Sequence, residues 1–163
     1  MIEIYTRPAR LVRGGAIVTV PALTELEQID FPEIGQLDAF NTDGLRTFLR
    51  TTSIPELTEK TLRYPGLSGQ VTLFASAGFF DEEREVNGAL IYPREVSAQL
   101  LTEQWLETED DHDVTVMRLE LEGERSGKPV RVTYDLCDRF DRQRGISSMA
   151  RTTGYPCPAD RRW

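Results

Sequence analysis

The chain has 163 residues, 39% hydrophobic and 9% aromatic, which suits one soluble globular domain that needs no disulfide or metal staple. The 19 basic and 27 acidic residues leave a formal net charge of −8, which repels phosphate backbones and argues against nucleic acid as a partner. The N-terminal stretch lacks a signal-peptide core and no apolar run is long enough to span a bilayer, so the expected location is the cytoplasm, away from membranes.

In chain order, "LVRGGAIVTV" reads as a hairpin, because Gly14 and Gly15 can supply the positive φ angles of a tight primed turn. "GQLDAFNT" predicts a short strand ending at Asn41. A helix is expected from about Gly44 to Thr52, with Leu45, Phe48 and Leu49 on one face and Thr42 or Asp43 as its N-cap. "TEKTLRYPG" predicts a short extended segment. The next helix spans roughly Ser68 to Ala77, turns Val71, Phe74 and Ala75 one way, and stops at Gly78 as a left-handed cap. "EVNGALIYP" is an edge strand or an extended loop.

Pro93 suits the first turn of a third helix, whose apolar stripe is Val96, Leu100, Leu101 and Trp105. After the loop "ETEDDHD" comes a long hairpin over residues 113–140. In its second arm Val130, Val132, Tyr134 and Leu136 alternate with polar residues, so one face is wet. In the first arm the apolar phase slips between Val116 and Met117, which predicts a bulge or a locally two-sided strand. "GISSMARTTG" is expected to continue the meander as a third strand. Helices and hairpins come in separate blocks, which predicts an α+β fold: a mixed, largely antiparallel sheet with helices on one face.

Little catalytic chemistry is visible. There is no Gly-x-Gly-x-x-Gly, no P-loop and no Gly-x-Ser-x-Gly, and the single histidine, His112, lies in an acidic loop. "EDDHD" at 109–113 lacks the spacing of a cation loop and reads as a solvated turn, so no metal is expected. Arg139, Arg142 and Arg144 alternate with Asp138 and Asp141 as a mixed-charge turn. Cys137 and Cys157 show no zinc or redox spacing and read as reduced thiols. The ligand-facing candidates are Asn41, beside a helix mouth, and Arg63, which either pairs with a surface acid or points into a cleft toward a substrate carboxylate.

Several stretches, in order and at compatible spacing, resemble one family: "VPALTELEQIDFPEIGQLDAFNTDGLRTFL", "EKTLRYPG", "AGFF", "VNGALIYPREV" and "ISSMARTTGYP". They are similar to saccharopine dehydrogenase-like proteins, roughly from Tyr5 to Pro156. The resemblance implies an NAD(P)-binding Rossmann domain followed by an α+β domain that shapes the substrate cleft and makes the dimer. This chain resembles the second domain alone, a single domain over 1–163 with the Rossmann half absent. It implies Asn41, Arg63, Arg151 and Thr152 as substrate-binding candidates, with no catalytic or cofactor-binding residue. It further implies a homodimer, a small amino-acid substrate, a possible separate Rossmann partner, and NAD(P) bound only in the complete enzyme. The hydride would pass between nicotinamide and a C–N bond of a lysine-derived or polyamine substrate. The alternative is a stand-alone dimeric binding or interaction module without catalysis. Two departures stand out: Leu67 replaces the histidine that usually follows "RYPG", and Pro158 breaks the helix expected after "TTGYP".

Overall fold

The computed structural model describes residues 2–106, 108 and 111–154. Cys157, Pro158 and the rest of 155–163 lie outside them, as do Glu109 and Asp110 of the acidic loop. The chain forms two compact units, Met1–Leu106 and Glu107–Trp163. The fold is α+β, as the blockwise pattern predicts. Its strands form several small antiparallel sheets.

The first unit opens with a short helix, α1 (Glu3–Thr6), and the expected hairpin, β1 (Ala9–Arg13) and β2 (Ala16–Val20). Gly14 at φ 56° and Gly15 at φ 79° make its turn. Leu57 bridges to Val12 on the other edge of β1. A three-stranded sheet follows in the order β3 (Glu27–Phe31), β4 (Gly35–Asn41), β5 (Lys60–Arg63). As the central strand, β4 is covered on both faces, with Leu37, Asp38, Ala39, Phe40 and Asn41 all buried.

The first expected helix shrinks to α2 (Phe48–Thr51). Helix α3 (Leu67–Ser76) ends as read from the sequence. Gly78 takes φ 86°, its N–H donates to Ala75 O, and Phe79 N–H reaches Phe74 O at 3.0 Å. The rings of Phe74 and Phe79 close the motif edge to face. "EVNGALI" is a hairpin, β6 (Arg84–Val86) and β7 (Ala89–Ile91), turned by Asn87 and Gly88 at positive φ. Pro93 begins α4 (Pro93–Gln104).

The core of this unit is Ile2, Tyr5, Phe40, Val71 and Phe80. Tyr5 packs between Phe40 and Trp105, at ring separations of 5.9 and 6.2 Å. The expected stripe on α4 is half right. Leu101 and Trp105 pack on the core, but Val96 and Leu100 are exposed. The neighbouring face, Ser97 and Ala98, turns inward instead, because Ser97 Oγ donates to Phe79 O at 2.8 Å.

Asp38 joins sheet to helix. Its buried carboxylate accepts from Ser68 Oγ and, at 3.0 Å, from Gly66 N–H. A strand side chain thereby holds the mouth of α3, where no neighbour in sequence caps it. The hydrogen bonds from Ser68, Gly66 and Gln28 hold its carboxyl below the usual aspartate range, against the effect of burial.

In the second unit, β8 (Val114–Arg125) and β9 (Lys128–Arg139) pair without interruption from Val114↔Arg139 to Arg125↔Lys128. The expected bulge is absent from this register: Val116 and Met117 face Cys137 and Leu136 in step. The phase slip marks a two-sided strand. The expected third strand is instead helical, ending in a π-helical turn, Ala150–Gly154. Asp113 causes this by accepting the Ser148 and Met149 N–H groups, both at 2.8 Å, as a helix cap would. Among the described residues no helix is long and apolar enough to cross a membrane.

Asp38→Ala should lower unfolding free energy by about 1–2 kcal/mol in urea denaturation, because it strands two donors at the mouth of α3. The lowered pKa stabilises the fold fully above the unfolded aspartate value, and that contribution is lost as pH falls through the lower folded value. Asp38→Asn should therefore flatten the acid limb of the stability curve below about pH 4.

Candidate functional site

The stretch "NTDG" is tied down residue by residue. Asn41 is fully buried; its backbone N–H donates to Thr24 O at 3.3 Å and its amide to Thr24 Oγ1 at 3.5 Å. Thr42 Oγ1 meets Glu59 Oε2 at 2.5 Å and Thr61 Oγ1 at 2.9 Å. Gly44 N–H donates to the same Glu59 oxygen at 3.1 Å. A side chain at Gly44 would sit 2.6 Å from the Glu59 carboxyl carbon, so that carboxylate would have to move aside.

Asp43 does not cap a helix, contrary to expectation. Both its oxygens are taken by Arg10, whose Nε and Nη2 donate at 2.8 Å, with the Arg10 backbone N–H at 3.2 Å. This two-pronged pair holds the Asp43 carboxyl below, and the Arg10 guanidinium above, their ordinary ranges. The pairing pulls residues 43–47 toward β1 and delays the helix until Phe48.

The Asn41 amide also bonds the Glu25 carboxylate, which it and Arg13 hold below the usual range. Asn41 Oδ1 faces no partner, alone in this among the buried side-chain polar atoms described. Arg63 forms no carboxylate pair among the described residues. Its Nε donates to Tyr5 Oη at 3.2 Å and its Nη1 to Leu62 O at 2.8 Å. Register separates the two candidates. Arg63 stands opposite Asp38 and Asn41 opposite Lys60, so they project from opposite faces of the sheet.

The other two candidates belong to the second unit. Arg151 Nη2 donates to both Asp138 oxygens, at 2.7 and 2.8 Å, and its Nη1 lies 3.4 Å from Asp141 Oδ2. Ser148 Oγ completes the cluster with a 2.8 Å bond to Asp138. Asp138 is held below its usual range first by Arg151, then by Ser148. Thr152 Oγ1 bonds back to Ser148 O, a local helix contact. Asp141 accepts the Gln143 and Arg144 N–H groups, which makes the mixed-charge turn. His112 stacks on Phe140 at 4.5 Å.

The described residues do not fit a dinucleotide. The strand pairs are antiparallel and no βαβ unit forms. At the mouth of α3 the Gly66 N–H and the Ser68 hydroxyl already donate to Asp38, where a pyrophosphate would need free donors. Sequence reasoning missed Asp38, whose signal is a charged residue inside the buried run "QLDAF". It also missed a cleft of about 310 Å³ lined by Arg7, Arg10, Asp43, Arg46, Thr47 and Arg50.

The model of the family described as saccharopine dehydrogenase C-terminal domain matches residues 1–159. The chain belongs to this family. Saccharopine dehydrogenases are oxidoreductases, and this family is part of NAD(P)-dependent enzymes. The match spans both units of the chain.

Arg151→Met should speed amide hydrogen exchange across 147–152 by about tenfold, while β1 to β5 keep their protection. In the unmutated chain the Asp138 contribution is complete above the ordinary aspartate pKa and lost as pH falls through the lowered folded value. Protection of that segment should accordingly fade below about pH 4.

Proposed function

We propose that this chain is the substrate-binding and dimerisation domain of a saccharopine dehydrogenase-like NAD(P)-dependent oxidoreductase. The carrying observation is the family match over 1–159. The reaction is a redox change at a C–N bond of a lysine-derived or polyamine substrate. The cofactor supplies the hydride chemistry, and its pyrophosphate and nicotinamide are held outside this chain, in agreement with the filled mouth of α3. The protein works in the cytoplasm, and the chain alone turns nothing over.

Asn41 contributes through its unpartnered Oδ1, which suits an N–H of an amine or ammonium group. Arg63 offers Nη2, which bonds none of the described residues, to a carboxylate. The opposite faces of the sheet make these separate contacts. Arg151 and Thr152 act through the Asp138 cluster, which orders the segment that carries them.

The dimer forms through the β8–β9 hairpin, with a second copy as its partner. Along one face of the hairpin Met117, Leu119 and Leu121 stand opposite Leu136, Tyr134 and Val132. Met117 is 53% exposed and Tyr134 59%, which is unusual for a face of this composition. The opposite face carries Arg118–Asp135 and the Arg131 pairs with Glu120 and Glu122. A two-stranded ribbon is marginal alone, so a partner against the apolar face stabilises it.

The poor fit to a dinucleotide also favours a second reading, a dimeric binding module without catalysis. An adjacent reading frame encoding a strand followed by Gly-x-Gly-x-x-Gly separates the two, since the enzyme needs that half.

Calorimetric titration with NAD and NADP should give no binding, and an absorbance assay with lysine and saccharopine no reduced nicotinamide. Micromolar cofactor affinity would overturn the assignment of the cofactor to another chain. Light scattering should give twice the 18.5 kDa chain mass, and Leu119→Glu should return it to one.

A further inference from the structure

The arginine cleft lies in the first unit and belongs to no contact described for the substrate. Four short segments build it. Arg7 follows α1, Arg10 lies on β1 at an outward position, Arg46 sits in the turn before α2, and Arg50 lies one helical turn beyond. Two of the four guanidiniums already have partners. Arg10 is bound two-pronged to Asp43, and Arg7 Nη2 lies 2.8 Å from Glu3. Arg46 and Arg50 have no carboxylate within ion-pair distance among the described residues, although the chain carries 27 acidic residues against 19 basic.

Among the described residues Asp43 and Glu3 are the only acids paired with these four arginines, which leaves two positive charges without a counter-ion there. Like charges gathered in one cleft repel one another. Arg46 in addition takes φ 32°, a conformation that non-glycine residues seldom adopt. The uncompensated charge is unfavourable without a ligand and becomes favourable around an anion. The Asp43 carboxylate is not an obstacle, because both its oxygens are engaged by Arg10. The guanidinium fork is the group best matched to two oxygens of a carboxylate or phosphate.

We infer that this cleft binds a small dianion, a phosphoryl group or a dicarboxylate, through Arg46, Arg50 and the Thr47 hydroxyl, with Arg7 and Arg10 completing the positive field. Its volume of about 310 Å³ admits a small molecule or the anionic end of a larger one. The charge excess of two selects a dianion over a lone carboxylate.

The test is isothermal titration of the full chain with inorganic phosphate and, separately, with glutarate, at neutral pH and low salt. One anion should bind at a single site with Kd below about 3 mM. Tighter phosphate identifies a phosphoryl ligand, and tighter glutarate a dicarboxylate. The double variant Arg46→Gln, Arg50→Gln should weaken that binding by about tenfold or more, and Arg125→Gln at the hairpin tip should leave it unchanged. Thr47→Val, which keeps every charge, should weaken it by about threefold and covers the case of a misfolded double variant. Failure of both anions to reach that Kd overturns the inference, as does unchanged binding in the folded double variant or in Thr47→Val. None of these outcomes bears on the cofactor or the dimer.

Discussion

A carboxylate on a central strand, Asp38, holds the first unit together. Helix α3 starts without a local cap, because Gly66 has no side chain and sits in a left-handed conformation. The Gly66 N–H and the Ser68 hydroxyl would otherwise go unpaired in this junction, a loss of about 1–3 kcal/mol for each buried group. Asp38 supplies the acceptor from 28 residues upstream in the chain. Once α3 is fixed there, Val71 meets Phe40, and the Phe74–Phe79 cap directs the chain toward Phe80 and α4. Core and helix mouth are consequences of one bond set.

The same logic of long-range pairing governs residues 41–44. A reading limited to neighbours finds a helix start there, since threonine and aspartate are common N-caps. In the folded chain those side chains face β1 and residues 59–61 instead. Asp43 pairs with Arg10 in place of capping, and the two-pronged pair engages both carboxylate oxygens where a cap bond would engage one. The helix begins at Phe48, Arg46 takes a positive φ, and Arg46 lines the cleft with Arg7, Arg10 and Arg50. One ion pair thus shapes the chain path and gathers the basic cleft.

Membership of the saccharopine dehydrogenase C-terminal domain family gives these details a setting. The mouth of α3, filled by the chain's own aspartate, is no cradle for a dinucleotide. The chain's described residues hold a buried amide with a spare oxygen, an arginine without a carboxylate partner among them, and an arginine-lined cleft. In the second unit Arg151 and Thr152 serve the order of their own segment, through Asp138 and Ser148.

Features set by a few adjacent residues were legible in the sequence. Gly14–Gly15 dictated a primed turn, Gly78 a left-handed cap, Pro93 a helix start, and the alternation from Val130 to Leu136 a strand. Asn87–Gly88 carried an equally local hairpin signal, but reading the stretch as an edge strand or an extended loop missed the hairpin. The α+β class followed from the order of the blocks. Other features depended on partners far away along the chain. Which face of α4 turns inward was decided by the Phe79 carbonyl that accepts from Ser97, not by the apolar stripe. The segment after Ser147 became helical because Asp113, 35 residues earlier, met its first N–H groups. Asn41 and Arg63 were correctly placed on strands, yet only the strand register put them on opposite faces. Local propensity fixes an element's type when turn chemistry or periodicity is strong. Which side chains meet is decided by hydrogen-bond and charge pairing between distant segments, and those pairs exist only once the chain has folded.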